Sequence, residues 1–236
     1  MGSSPLHLLE GQGQSVWVDS LSRDMVRGGE LARLVAEDGV TGVTSNPAIF
    51  QKALAQGDAY DEQLRSLPAG TSAKEAFIAL ALTDIQEACD VLAPVHERTG
   101  GADGYVSLEV DPTFAFDTEA TAAEAARLAK EVGRPNLMVK IPATLPGLPA
   151  IEDSIAAGRS INVTLIFSLE RYVKVAECYI RGLQRLAADG GDLSKVASVA
   201  SFFVSRVDTE ADARLDKAGA GALGGKLAVA NAKLAY

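Results

Sequence analysis

Lysines rarely stand inside strands, and this chain has one that does. In Pro135-Asn-Leu-Met-Val-Lys-Ile-Pro-Ala-Thr144, the residues Leu137, Met138, Val139 and Ile141 form an apolar run. That run reads as a strand buried on both faces, as in a parallel sheet. Lys140 interrupts it. A lysine is almost never fully buried without a partner or a task. Desolvation favours the uncharged form of an amine, and a free amine in a dry pocket attacks a carbonyl to form a Schiff base. Pro142 has no N–H to donate, so strand pairing is expected to end there, with Lys140 near the strand's C-terminal end. The plainer alternative is a lysine snorkelling out at a sheet edge.

Carbonyl chemistry through a lysine needs proton transfers at carbinolamine formation, at dehydration and at carbon–carbon cleavage. Two carboxylates at strand ends are suited to supply them. Glu109 lies between Leu108 and Val110, and an acid inside an apolar strand is desolvated in a way that suits a base. Asp19 follows Val16-Trp-Val18 in the same manner; its alternative is a turn or helix N-terminal carboxylate. Asn46 before Pro47 reads most simply as shaping a turn. Asn162 stands in a strand that asparagine disfavours, either for a ligand or as a satisfied core amide. Arg206, just past an apolar strand, is either a solvated surface residue or a guanidinium shaped for phosphate.

Positioning these groups requires strands that alternate with helices. Strand candidates are Ser15–Ser20, Gly42–Pro47, Tyr105–Val110, the segment carrying Lys140, Ser160–Phe167 and Val196–Val204. Helical periodicity is expected from Ser22 to about Glu37, over Ala48–Leu67, Ser72–Val95, Thr118–Val132 and Leu148–Ala157, from Ser168 to about Asp189, and from Thr209 onward with a break at Gly224-Gly225. Residues 1–14 read as a lead-in. Alternating strands and helices mean βαβ units and a parallel sheet. A doubly wound sheet and a (β/α)8 barrel both fit, and two features favour the barrel. Polar residues recur at the strand ends: Asp19, Asn46, Glu109, Lys140, Asn162, Thr164, Ser201 and Arg206. In a barrel those ends converge on one face, where active sites sit. No G-x-G-x-x-G turn follows the first strand, which weighs against a dinucleotide fold.

The 236 residues suit one domain, 1–236, and 47% apolar content suffices for a core. A net charge of −9 without a basic stripe argues against nucleic acid or an anionic membrane as partner. Cys89 and Cys178 form no metal-like cluster with His7 and His96 and read as two reduced, buried thiols of a cytosolic protein. Neither a signal peptide nor a transmembrane helix is expected from the apolar patterning.

Five segments in order resemble the transaldolase family, closest to its longer bacterial form. They are Val-Thr-Ser-Asn46-Pro-Ala-Ile-Phe, Ser-Leu-Glu109-Val-Asp-Pro, Leu-Met-Val-Lys140-Ile-Pro-Ala-Thr144, Asn162-Val-Thr164-Leu-Ile-Phe-Ser and Ser201-Phe-Phe-Val-Ser-Arg206. The resemblance runs from about residue 10 to the last residue. It implies transfer of a dihydroxyacetone unit from sedoheptulose 7-phosphate to glyceraldehyde 3-phosphate. In it Lys140 forms the Schiff base, and Asp19 moves the proton of the hydroxyl next to the bond that breaks. Glu109 and Thr164 hold and activate water, Asn46, Asn162 and Ser201 bind hydroxyls of the three-carbon fragment, and Arg206 holds phosphate. No metal or organic cofactor is implied, and the partners are small sugar phosphates. The resemblance also implies two further strands after the six counted here. A (β/α)8-type barrel with about six βα units is therefore expected to be open, with edges near Val16 and Phe202 that invite self-association. Two other readings stand beside it: a class I aldolase acting on fructose 6-phosphate or a related ketose, and a non-catalytic remnant that binds sugar phosphates.

Overall fold

The computed structural model describes residues 4–55 and 57–236. The chain divides into two compact units: one runs to Asp111 and includes Ala126–Val139, and the other comprises Pro112–Ala125 and Lys140–Tyr236. The predicted lead-in and the predicted helix Ala48–Leu67 lie partly outside the described residues.

In the first unit a short helix α1 (Leu6–Glu10) precedes β1 (Trp17–Val18), which is shorter than the predicted strand. Ser22 caps α2 (Arg23–Arg27), its side chain accepting from the Met25 N–H. The helix predicted to reach Glu37 is broken at Gly28-Gly29, because Gly29 adopts φ 82°, and resumes as α3 (Glu30–Asp38). Next come β2 (Gly42–Thr44), α4 (Pro47–Leu54), α5 (Asp61–Ser66) and α6 (Ala73–Arg98), the last begun by a reciprocal Ser72–Glu75 capping box. β3 (Val106–Glu109) follows. Two elements are shared between the units: α7 (Thr118–Val132), on its predicted bounds, and β4 (Leu137–Pro142).

β1 pairs with β2 in parallel, Val18 opposite Val43, and β2 with β3, Val43 opposite Val106. The Val106 N–H donates to the Asn136 carbonyl at the start of β4. Gly42 is required by close approach: a Cβ there would fall 2.4 Å from the Trp17 ring. Val43, Val106, Leu31, Ile85 and Leu92 are wholly buried and form the centre of this unit.

The second unit contains the end of β4, then α8 (Gly147–Ala156), β5 (Ile161–Ile166), α9 (Leu169–Ala188), β6 (Ser198–Phe202), α10 (Ser205–Lys217) and α11 (Leu227–Ala235). β4 ends at Pro142 as predicted, with one further backbone bond just beyond it. The next residue, Ala143, donates its N–H to the Thr164 carbonyl at 2.8 Å. Pro142 costs the ladder one donor and no more.

β5 and β6 are parallel, with Asn162 opposite Val199 and Val163 opposite Ala200, yet Ile166 stands opposite Phe202. β5 thus carries one extra residue, and Leu165 takes it up with φ 60°. Strict alternation would put Ile166 on the face of Asn162 and Thr164. The bulge shifts the register, and Ile166 is wholly buried.

The strand order is the chain order, with β1 and β6 as end strands. Strands that alternate with helices in this way are the α/β architecture of a (β/α)8-type barrel, with six βα units here.

Candidate active site

β4 is buried at all six positions, and Lys140, which belongs to the second unit, is 7% exposed. The Ala143-to-Thr164 bond fixes the register at the end of β4. Carried back along both strands, it sets Lys140 beside Asn162, and paired residues of a parallel ladder share a face. Thr164, two residues on, lies on that face too; Asn162 and Thr164 are each 1% exposed. Val199 is the partner of Asn162 on β6, so Ser201 belongs to the same face. Its hydroxyl reaches back and donates to Asn162 Oδ1 at 2.7 Å. Four predicted residues are therefore brought together: a buried amine, an amide and two hydroxyls. Such a face can add an amine to a carbonyl and bind the hydroxyls of a polyol.

Arg206 follows the end of β6. It is exposed in the first turn of α10, its guanidinium 4.8 Å from the centre of the Phe203 ring. Phe203 in turn stacks on Phe167 at 5.0 Å. Arg206 lines a hollow of about 470 Å³ with Phe167, Val207, Glu210, Ala211 and Arg214.

In the first unit, the ladder continued one residue past Val18 sets Asp19 beside Thr44, which is paired with Ser107. Glu109 is two residues beyond Ser107 at the last position of β3, so Asp19 and Glu109 share a face. Asp19 is exposed and Glu109 half-buried. Asn46 is the N-cap of α4: its Oδ1 accepts the Ile49 N–H at 3.1 Å, with Pro47 in the first turn. Asn46, which reads most simply as shaping a turn, begins a helix instead.

A buried cluster in the first unit was not foreseen from the sequence. Arg23 Nε donates to Asp84 Oδ1 at 2.8 Å, and the Tyr60 hydroxyl donates to Asp84 Oδ2 at 2.7 Å. Arg23 also donates to Gln63 Oε1, and its guanidinium lies 4.4 Å from the Tyr60 ring centre. Burial pushes the Asp84 carboxyl upward against the opposing pull of Tyr60 and Arg23. The cluster ties α2, which follows the Asp19 turn, to α5 and α6. Arg23 and Asp84 are 61 residues apart, and no local pattern links them. Among the described residues, no group of three or more His, Cys, Asp or Glu is placed to hold a metal ion, and no helix is long and apolar enough to cross a membrane.

Comparison with known proteins gives one answer. The family model described as Transaldolase/Fructose-6-phosphate aldolase matches residues 16–236. A transaldolase of Thermobifida fusca is 58% identical over 99% of this chain, and one of Frankia alni is 55% identical over 99%. Transaldolase 2 of Nostoc punctiforme is 49% identical over 98%. The chain spans 64% of the length of each of the three.

Proposed function

The chain belongs to the transaldolase/fructose-6-phosphate aldolase family, and on that footing we propose that it transfers a dihydroxyacetone unit through a Schiff base on Lys140. The proposed donor is sedoheptulose 7-phosphate and the acceptor glyceraldehyde 3-phosphate. The products are erythrose 4-phosphate and fructose 6-phosphate, as a cytoplasmic step of the pentose phosphate pathway. One observation carries the reading: Lys140 is 7% exposed, on a strand face it shares with Asn162, Thr164 and Ser201.

In the proposed chemistry the Lys140 amine adds to the ketose carbonyl, and the carbinolamine loses water to give an iminium ion. Glu109 and Thr164 hold and activate that water. Asp19 takes the proton of the hydroxyl next to the scissile bond. The bond breaks, its electron pair flows into the iminium to form an enamine, and the aldose phosphate leaves. The enamine then adds to the acceptor aldehyde, Asp19 returns the proton, and water releases the ketose and the free lysine. Asn46, Asn162 and Ser201 hold hydroxyls of the three-carbon fragment, and Arg206 holds the phosphate. The iminium is itself the electron sink, so these steps need no metal or organic cofactor. β1 and β6, the end strands, are proposed to pair with a second copy of this chain, which sedimentation at increasing concentration tests.

Borohydride added with fructose 6-phosphate should reduce the adduct and leave a three-carbon label on the peptide that contains Lys140. Lys140→Met keeps an apolar stem without the amine and should abolish the label. Full labelling of that variant would refute the assignment. Where the label forms but water is the acceptor instead of an aldose phosphate, the activity is that of a simple aldolase.

A further inference from the structure

We propose that Arg171 is a positioning residue for Lys140, clamping the turn into which β4 runs. Pro142, two residues past Lys140, has no N–H, so the end of β4 lacks one ladder donor where the lysine must be held. The structure compensates at the next two residues. The Ala143 N–H donates to the Thr164 carbonyl at 2.8 Å, and the Ala143 carbonyl accepts from Arg171 Nη1 at 2.9 Å. The Thr144 hydroxyl donates to the Ala115 carbonyl and accepts the Gly147 N–H at 3.0 Å. Residues 143–144 are thus held by β5, by α9 and by the turn around Ala115, and Ala143 is 5% exposed.

Helix formation does not account for an arginine at this place. Arg171 lies in the first turn of α9, its own N–H bonded to the Ser168 cap at 3.2 Å. A cation there opposes the helix dipole. What the guanidinium gains is a charge-assisted bond to a carbonyl three residues from Lys140, and such bonds are about twice as strong as neutral ones. A small displacement of a reacting group costs on the order of a hundredfold in rate. The functional consequence rests on the Schiff-base reading of Lys140; the clamp itself does not.

The test uses the whole chain with Arg171→Gln and, as a milder change, Arg171→Lys. In Arg171→Gln the Ala143 amide should exchange with solvent about tenfold faster or more under native conditions. The limiting rate of borohydride-trapped adduct at Lys140 should fall about ten- to a hundredfold with fructose and with fructose 6-phosphate alike, at an unchanged half-saturating concentration. Arg171→Lys retains a charged donor and should recover part of both. Unchanged exchange at Ala143, or a lysine variant no slower in exchange than the glutamine variant, would overturn the clamp. So would a loss confined to the phosphorylated donor, which would make Arg171 a substrate-anion contact instead. If the wild-type chain forms no adduct, the Schiff-base reading fails and the exchange rate at Ala143 still decides the clamp.

Discussion

Replacing Arg23 by methionine removes a guanidinium from the interior of the first unit and leaves its partners in place. Arg23 is 2% exposed and Asp84 wholly buried. The substitution deletes the bonds to Asp84 and Gln63 and the stacking over Tyr60, while Asp84 keeps only the Tyr60 hydroxyl among the donors described here. Removing one member of a buried ion pair costs about 3–5 kcal/mol. At about 1.4 kcal/mol per tenfold, that lowers the folded-to-unfolded ratio at pH 7 by roughly a hundredfold to a few thousandfold. The pH dependence follows from the carboxylate. Burial already raises the Asp84 pKa, and without the guanidinium it rises further. An acid with a raised folded pKa contributes stability that is present below its unfolded value and is lost as pH rises through the folded one. The deficit of Arg23→Met should therefore be largest at neutral pH. It should shrink toward pH ~4.5, by at most about 1.4 kcal/mol per pH unit. Trp17, the only tryptophan, is in the same unit, its indole N–H bonded to Asp103 at 3.0 Å. Urea titrations followed by its emission are thus a local readout. A triple variant, Arg23→Met with Asp84→Leu and Tyr60→Phe, leaves no buried charge and should recover most of the loss. A loss below about 1 kcal/mol for Arg23→Met, or an equal loss at both pH values, would refute the reasoning.

Asp19→Ala should block bond cleavage yet allow adduct formation with a donor ketose, whereas Glu109→Ala should slow adduct formation itself, each by about 10²–10⁴; identical defects in single-turnover trapping would remove the proposed division of labour. Leu165→Gly should keep the bulge and melt at or above the wild-type temperature, because glycine adopts φ 60° without strain, while Leu165→Val should melt below it, because a β-branched residue fits that region worse than leucine. Equal melting temperatures for the two variants would mean that the backbone at Leu165 is not the controlling feature. Cys89 is wholly buried and its thiol is pushed up to about 12 by desolvation. Iodoacetamide at pH 8 should therefore leave Cys89 unlabelled until urea unfolds the chain, as peptide mass spectrometry can check.

The parts of the fold that were legible in the sequence are those whose signal is local. α7 falls on its predicted bounds because alanines and leucines recur at helical spacing between a threonine and Gly133. β4 was legible as an apolar run, and Lys140 stood out by violating it. The Gly28-Gly29 break and the Asn46-Pro47 helix start had signals too, but a longer periodicity masked the first and a turn reading the second. The bulge in β5 was not foreseen: Ser160–Phe167 reads as an uninterrupted strand, and nothing in the residues says that Leu165 takes the strain. Side-chain direction was not legible for Arg206, which turns to Phe203. Arg23 was missed altogether, its meaning set by a carboxylate 61 residues away. Arg23 and Lys140 are nevertheless both buried basic side chains, at 2% and 7% exposure, and burial alone does not separate them. Chemistry does. A guanidinium keeps its proton at any accessible pH, so Arg23 can be buried only with a counter-charge and can never attack a carbonyl. A lysine side chain, unlike an arginine, can serve as a nucleophile toward a carbonyl. Burial alone is the same observation at both positions; the identity of the side chain makes Arg23 a structural tie and lets Lys140 carry the proposed Schiff base.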